Sequence, residues 1–275
     1  MNQKIVFTIA KKDIREASQN KAVWLPIMIV PIIFILLLPL GILLAAHNAD
    51  ALASMITDPD LIKMMEKMPS VLSEVTAGLN ESQSIIVLML GYFYAPFFLI
   101  LPIMYSTVIA AESFAGERER KTIEALLYTP ATDAELFLGK VLAGFIPAVA
   151  ITWASFAGYC VVLNAGAYAI MERVWFPLTT WYPLIFWVSP ALSLLGIAAT
   201  VLISSKTQTF MGAYQTSASL VVLVLALVIG QATGILYLSV TTGLLVGMFF
   251  WLVDIILVWL AIRSFNREKL LASEK

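Results

Sequence analysis

The sequence predicts an all-α, polytopic membrane protein with six transmembrane helices, an N-terminal interfacial helix and a helical connection on the cytoplasmic side. Of its 275 residues, 60% are apolar and only 13% are charged, against about 25% charged in ordinary soluble domains. Five uncharged intervals are each longer than the roughly 20 residues that span a bilayer. This composition excludes a water-soluble fold.

The uncharged intervals predict where the spans lie. They run from Ala22 to Ala49, Ser82 to Ala111, Val141 to Met171, Val174 to Ser205 and Thr207 to Val253. The last interval continues past a lone Asp254 to Ile262, which is too long for one span and suits two spans joined by a turn. We expect spans near residues 22–46, 85–111, 141–163, 184–204, 211–232 and 239–262, within a single transmembrane domain that covers residues 1–275.

The Lys and Arg residues predict that both termini are cytoplasmic, because cytoplasmic segments next to spans retain positive charge. In this orientation 14 basic residues lie inside, and only Lys63, Lys67 and Arg173 lie outside. A signal peptide is the alternative for the first span, but its apolar run of about 25 residues exceeds the usual 7–15. We expect an uncleaved span and a location in the plasma membrane of a prokaryotic cell.

Residues 1–21 precede the first span and alternate apolar with charged side chains. Ile5, Val6, Ile9 and Ile14 recur among six charged residues, a pattern typical of an amphipathic helix that lies along the membrane surface. We expect this helix to anchor the chain at the cytoplasmic face. A contact site for another subunit is the alternative.

Composition and charge exclude several function classes. The net charge of −1 provides no field that would attract nucleic acid. One His and one Cys permit neither a multi-histidine metal site nor an internal disulfide. They also leave no convincing pair of nucleophile and base for an intramembrane protease or lipid transferase. We therefore expect no catalytic residue, no bound metal and no cofactor in this chain.

The second outside loop concentrates aromatic residues. Trp175, Phe176, Trp181 and Tyr182 lie within eight positions of one another, and aromatic rings are enriched where a membrane protein meets the headgroup region. The sequence therefore predicts an interfacial aromatic belt at this loop.

Residues 112–140, between the second and third spans, form the longest inside connection between spans. Glu117 to Tyr128 predicts a short helix with Ile123, Leu126 and Leu127 on one face. Thr129-Pro130 breaks it, because proline disfavours helical geometry in the residue before it. Thr132 and Glu135 form a capping-box pattern that begins a second short helix. We expect a helical elbow at the inner membrane face.

This connection resembles the cytoplasmic signature of type 2 ABC exporter permeases. The resemblance is carried by the run Glu117-Arg118-Glu119-Arg120-Lys121-Thr122, followed by Ile123-Glu124-Ala125-Leu126-Leu127, Thr129-Pro130 and Gly139-Lys140. The basic N-terminal helix and the tail Phe265-Asn266-Arg267-Glu268-Lys269-Leu270 extend the likeness over most of the topology. The sequence departs from many relatives at Lys121, where they have Gly.

The resemblance implies that the elbow is a coupling helix, which docks in a cleft of an ATP-binding subunit and transmits its closure to the spans. The docking residues implied are Glu117, Arg118, Glu119, Arg120, Lys121, Thr122, Glu124 and Leu127. It also implies two copies of the ABC ATP-binding subunit and a second permease chain, identical or related, in the lipid bilayer. ATP and Mg would bind the partner, because Gly116 and Lys121-Thr122 lack the spacing and second Gly of a phosphate-binding loop.

Polar residues within the predicted spans are candidates for a translocation pathway. Asp254 is the only charge inside a span, and an intramembrane carboxyl is costly unless it faces protein or water. The other candidates are Gln215, Thr216, Ser219 and Tyr92. Each of these side chains could instead form a hydrogen bond between helices. Gly243 and Gly247 form a GxxxG pattern, which favours close helix packing.

These features together predict the permease subunit of an ABC exporter. Its cargo would be amphipathic or apolar, such as a lipid, a drug or a peptide, and a cation is a further option that suits Asp254. The alternative is a secondary transporter driven by an ion gradient through Asp254. This alternative assigns no function to the charged elbow.

Overall fold

The computed structural model describes residues 1–48, 57, 76–122, 129–207 and 209–264. These residues form a first helix, α1 (Gln3–Gln19), and six long apolar helices. The six are α2 (Lys21–His47), α3 (Glu81–Glu119), α4 (Asp133–Met171), α5 (Trp181–Ser204), α6 (Phe210–Ala232) and α7 (Val240–Ser264). The predicted all-α fold with six membrane-spanning helices is confirmed, and the chain is a multi-pass membrane protein.

Helices α3 and α4 are much longer than a bilayer requires. Each has 39 residues, or about 58 Å at 1.5 Å per residue, against a hydrocarbon core of about 30 Å. Both helices are therefore long enough to extend past the hydrocarbon core. We call the end of the bundle that carries Glu119 and Asp133 the elbow end. The expectation that Glu117 begins a separate helix is therefore wrong, because Glu117 lies in the last turns of α3.

The capping box predicted at Thr132 is confirmed. The Thr132 side chain accepts a hydrogen bond from the Glu135 backbone N–H, and the Glu135 carboxylate accepts one from the Thr132 N–H. This cap begins α4 itself and not a separate short helix, because the helix continues without a break to Met171. Residues 123–128, which complete the predicted elbow, lie outside the described residues.

Asn20 separates α1 from α2. Its extended backbone ends α1, and its side chain accepts a hydrogen bond from the Ala22 N–H at the start of α2. An asparagine at this position satisfies one of the backbone donors that a helix start leaves open. The chain thus changes direction within one residue, from the amphipathic α1 into the apolar α2.

Helices α3 and α5 form the centre of the bundle, and α2, α6 and α7 expose much of their apolar surface. Near the end opposite the elbow, five aromatic rings in mostly edge-to-face or tilted contact join α3, α4, the α4–α5 loop and α5: Phe98, Phe156, Tyr159, Phe176 and Trp181. The prediction of an interfacial belt is wrong for two of its members, because Phe176 and Trp181 are fully buried in this cluster. Asn164 holds the loop inward by bonding the backbone of Trp175 and Phe176.

Helix α1 packs against the first turns of α4 at Gly139. A Cβ atom at Gly139 would lie 2.7 Å from the Ile9 Cγ2 atom and 3.1 Å from the Val6 carbonyl oxygen. Any side chain at this position would therefore push the two helices apart. Gly139 lets the backbones approach closely enough for side chains on both sides of it to meet.

We predict that Gly139→Leu destabilises the protein by about 1–3 kcal/mol, the usual cost of overpacking a tight contact. The control is Gly41→Leu on α2, where a Cβ has no heavy atom within 4 Å. Both substitutions raise helix propensity equally, so the difference between their melting temperatures in detergent isolates the α1–α4 contact. If Gly139→Leu melts at or above the Gly41→Leu variant, this contact is not as close as described.

Candidate functional site

Six polar residues from α1, α3 and α4 meet inside the elbow end and form what we call the ion-pair cluster. Its members are Lys12, Asp13, Glu16, Ser113, Glu117 and Lys140. The members on α1 lie about 100 positions or more along the chain from those on α3 and α4. The cluster therefore fixes α1 to the ends of α3 and α4.

Lys140 is the centre of this cluster. Its side chain is fully buried, and its ammonium donates to Glu117 Oε2 at 2.6 Å, to the Ser113 carbonyl at 2.7 Å and to Asp13 Oδ2 at 3.2 Å. The Ser113 hydroxyl also donates to Asp13 Oδ2, at 2.6 Å. Because a buried charge is tolerated only when it is paired and hydrogen-bonded, each of these partners is needed by the others.

Lys12 joins the same carboxylates from the outer side. Its ammonium lies 2.6 Å from Glu117 Oε1, 3.2 Å from Glu16 Oε2 and 3.3 Å from Asp13 Oδ1. Burial alone would lower the pKa of Lys12, but the hydrogen bond and charge of Glu117, with the charges of Asp13 and Glu16, raise it above its ordinary value. Lys12 therefore stays protonated at physiological pH.

The acidic members of the cluster also have the spacing of a cation site. Oxygen atoms of Asp13, Glu16 and Glu117 lie within 4.8 Å of one another, and such donors suit hard cations. The two lysine ammonium groups already lie among these carboxylates and bond to them. The arrangement is therefore a salt-bridge network, in which lysines occupy the place that a metal ion would take.

Local sequence explains how the cluster forms. Asp13 shares the buried face of α1 with Val6, Ile9 and Ala17, so an acidic side chain is directed into the bundle among apolar ones. Ser113 lies in a π-helical stretch of α3, Glu112–Gly116, and such wide turns frequently occur at functional sites. Its carbonyl is one of the acceptors that surround Lys140.

Arg118 and Glu119, which follow Glu117 on α3, bind the two ends of the connection between α5 and α6. Arg118 Nη1 donates to the carbonyl oxygen of Ser204 at 2.7 Å, at the C-terminal end of α5. Glu119 Oε2 accepts a hydrogen bond of 2.8 Å from the Phe210 N–H, at the first residue of α6. A cation at a helix C-terminus and an anion at a helix N-terminus are both favourable pairings with the helix dipole. Two neighbouring residues of opposite charge, Arg118 and Glu119, thus bind the end of α5 and the start of α6.

Residues 120–122 follow the last residue of α3 and terminate this helix. Arg120 Nη1 returns to Glu112 Oε1 at 2.6 Å. Lys121 has a φ of 56°, in the left-handed region, where a helix commonly ends and where Gly is favoured. The Thr122 N–H and hydroxyl both donate to the Glu117 carbonyl, at 2.9 Å and 3.2 Å.

The structure thus divides the docking residues implied by the resemblance into two groups. Glu117 and Arg118 face inward, and Glu117 is only 1% exposed. Glu119, Arg120, Lys121 and Thr122 are exposed at the tip of α3. Glu124 and Leu127 lie outside the described residues. Docking by these residues stays a prediction. The exposed residues could contact a partner directly, whereas the inward-facing Glu117 and the half-buried Arg118 would act mainly through their neighbours.

The candidate pathway residues on α6 lie on its exposed surface. The hydroxyls of Thr216 and Ser219 donate to backbone carbonyls of the same helix, Gly212 and Thr216. Gln215 is exposed beside them. This polar patch lies in the half of α6 nearest the elbow end, on a surface that is otherwise apolar. It is available to water or to another protein chain.

Tyr92 lies elsewhere, near the opposite end of the bundle. Its hydroxyl accepts a hydrogen bond from the Leu238 N–H at 3.2 Å, and its carbonyl accepts one from Gln231 Nε2 at 3.0 Å. Tyr92 also stacks on Tyr237, and both rings line a cavity of about 250 Å³. The structure does not bring Tyr92 together with the α6 patch.

Asp254 lies on the buried face of α7. That face also contains Gly243 and Gly247, which approach Pro183 and Trp187 of α5, so the GxxxG pattern makes a close contact within the chain. Asp254 is 1% exposed. Neither of its carboxyl oxygens has a hydrogen-bond partner among the described residues. Asp254 is therefore enclosed within the described part of the bundle, whereas the α6 patch is exposed.

Sequence reasoning missed Lys12, Asp13 and Ser113 as site residues, and it named Lys140 in the family signature but not as a site residue. One signal was available, because Asp13 occupies the apolar face of an otherwise amphipathic helix. An acidic residue at such a position indicates a buried partner. The identity of that partner, 127 positions away, could not be read from the sequence.

A comparison with protein-family models finds a match to a family described as ABC-2 family transporter protein, over residues 7–246. The matched range includes the residues of the ion-pair cluster, the end of α3 and most of the bundle, whereas Asp254 lies beyond it. No curated protein and no solved structure matches the chain.

We predict that Lys140→Met destabilises the protein by about 3–5 kcal/mol, because it leaves Asp13 and Glu117 buried with too little positive charge. Lys206→Met, at an exposed lysine of the same end, is the control. The yield of monodisperse protein in size-exclusion chromatography and its melting temperature report the effect. Adding Glu117→Leu to Lys140→Met should recover part of the loss, and equal or greater loss in the double variant would contradict the pairing.

Proposed function

This chain belongs to the ABC-2 family of transporter proteins, and we propose that it is the membrane-spanning subunit of an ABC exporter. In this proposal two ATP-binding subunits dock at the elbow end and supply the free energy of ATP hydrolysis, with ATP and Mg bound in those partners. The elbow end and both termini then lie in the cytoplasm, and the protein lies in the plasma membrane of a prokaryotic cell.

The observation that supports this proposal is the set of contacts made by consecutive residues at the end of α3. Glu117 bonds α1 and α4, Arg118 bonds the end of α5, and Glu119 bonds the start of α6. A force applied at the exposed tip of α3 would therefore act on four other helices. Rigid-body motion of packed helices is an established way to transmit a domain movement.

A second permease chain, identical or related, completes the proposed exporter. The polar patch of Gln215, Thr216 and Ser219 on the outer surface of α6 favours contact with protein or water over contact with lipid. The cavity of about 250 Å³ beside Tyr92 is below the 300–1,000 Å³ of typical ligand pockets. A path for a larger cargo would therefore be enclosed between two copies.

The proposed cargo is amphipathic or apolar, such as a lipid, a drug or a peptide. The apolar surfaces of α2 and α6 would border such a path without a desolvation cost for apolar cargo. A cation is a weaker option in this proposal, because Asp254 is buried on the inward face of α7, whereas the α6 patch is exposed.

The second candidate, an ion-gradient-driven transporter, depends on Asp254. Its support is that this carboxyl is buried without a hydrogen-bond partner among the described residues, as a site for an exchangeable ion would be. Its weakness is that the ion-pair cluster and the exposed tip of α3 would then have no role in transport.

We predict that Lys121→Glu reduces the amount of ATP-binding subunit that co-purifies with the tagged chain by at least about fivefold. Reversing an exposed charge at an interface costs on the order of 1 kcal/mol or more. Lys121→Gly removes the same cation while favouring the left-handed turn, so it separates loss of charge from loss of the turn. Arg173→Glu, at the opposite end, is the matched charge-reversal control.

The result of that purification decides between the two candidates. Recovery of an ABC ATP-binding protein with the wild-type chain and with Arg173→Glu, and its loss with Lys121→Glu, would support docking at the elbow end. If mild extraction recovers no such protein and transport in vesicles follows an ion gradient, the exporter proposal fails.

We predict that Asp254→Leu raises the melting temperature, because it removes a buried polar group that lacks a partner and whose burial costs about 1–3 kcal/mol. In the exporter, ATP-dependent transport should persist in this variant. In the gradient-driven transporter, transport should be abolished. A stabilised variant that has lost transport would therefore assign Asp254 to an ion pathway.

A further inference from the structure

A cavity of about 210 Å³ lies where α1 meets α2, on the membrane side of the ion-pair cluster. It is lined by α1 (Ile14, Ala17, Ser18), α2 (Val23, Trp24, Ile27), α3 (Ile109) and α4 (Pro147, Ile151). All of these side chains are apolar except that of Ser18. Pro147 is seven residues beyond Lys140, so the cavity lies roughly 10 Å deeper along α4 than the cluster.

Three cationic residues lie within one helical turn of lining residues on α1 and α2. Lys11 and Arg15 lie on the same face of α1 as the lining residues Ile14 and Ser18, because positions three and four apart share a helix face. Lys21 begins α2, one turn before the lining residue Trp24. All three are exposed, and none has an ion-pair partner among the described residues.

The acidic residues of α1 do not neutralise these cations. Asp13 is bonded to Lys140 and Ser113, and the Glu16 carboxylate lies 3.2 Å from the Lys12 ammonium. The face with Lys11 and Arg15 therefore keeps its positive charge. Because α2 is apolar from Ala22 onward and spans the membrane, these cations lie at the level of the lipid headgroups.

We propose that this cavity and its three cations form a binding site for an anionic glycerophospholipid. One acyl chain would occupy the apolar cavity, and the phosphate would lie among Lys11, Arg15 and Lys21. Basic residues near a membrane surface attract anionic lipids, and an interfacial Trp such as Trp24 prefers the same depth. The volume is too small for a typical ligand pocket but admits part of one acyl chain.

The site is independent of the proposed transport function, since it requires only that the chain lies in a membrane. A bound lipid would stabilise the packing of α1 against α2, away from the ion-pair cluster. The lipid would therefore act as a further attachment of α1, through Lys11 and Arg15, which the cluster does not use.

Native mass spectrometry of the purified full chain tests the site. The probes are phosphatidylglycerol, phosphatidylcholine with the same acyl chains, and glycerol 3-phosphate. We expect the first phosphatidylglycerol to bind at least about tenfold more tightly than phosphatidylcholine, given roughly 1 kcal/mol per basic residue near an anionic surface. Glycerol 3-phosphate should not compete. Equal binding of the two lipids, or competition by the free headgroup, would overturn the proposal.

Matched variants separate the headgroup contact from the cavity. The triple variant Lys11→Gln, Arg15→Gln, Lys21→Gln should lose the preference for phosphatidylglycerol. Lys4→Gln, Arg173→Gln, Lys206→Gln removes the same charge elsewhere and should retain it. Ala17→Leu fills the cavity and should weaken both lipids alike, with Ile151→Phe as a second filling variant if the first does not fold. Loss of preference in both triple variants, or unchanged binding in a folded filling variant, would contradict the site.

Discussion

The burial of the Lys140 ammonium is the constraint on which the elbow end depends. A lysine that is fully removed from water must find its counter-charges within the protein, and in this chain they come from α1 and α3 while the lysine itself is on α4. The three helices must therefore assemble together. This requirement also gives α1 a role beyond that of a membrane anchor, because Asp13 is one of the two carboxylates that bond Lys140.

The same end of α3 holds the bundle together on its other side by a different interaction. Arg118 and Glu119 contact helix termini, and each sign matches the partial charge of the terminus that it meets. Exposed contacts of this kind contribute little individually. Their importance is geometric, because they tie the short α5–α6 connection to the same turn of α3 that carries Glu117.

The positions of the six spans could be predicted from the sequence because the bilayer excludes unpaired charge. The same reasoning ended α3 too early and began α4 too late, since Glu112, Glu117 and Lys140 look like residues of a solvated loop. They are buried instead, with Glu112 paired to Arg120 and Glu117 paired to Lys140. Pairing between distant residues is invisible to a one-dimensional count of charges.

The prediction that Phe176 and Trp181 lie in an interfacial belt was wrong for a related reason, because the backbone contacts of Asn164 draw their loop into the bundle. Docking by the residues at the end of α3 stays a prediction. The sequence could not show that Glu117 and Arg118 face inward while Glu119 to Thr122 are exposed, because this depends on the helix phase of α3 against α1, α4 and α5.

The left-handed turn at Lys121 connects this geometry to the elbow. An L-residue in that conformation costs roughly 1–2 kcal/mol relative to a right-handed one, so the surrounding structure must favour a chain reversal at this position. The Thr122 hydrogen bonds to the Glu117 carbonyl supply part of that preference, and Glu117 is itself held by Lys12 and Lys140. The resembled permeases commonly have Gly where this chain has Lys121, and Gly adopts the same turn without strain. The position thus serves first as a helix stop, and a lysine there adds an exposed positive charge at the tip where a partner subunit would dock.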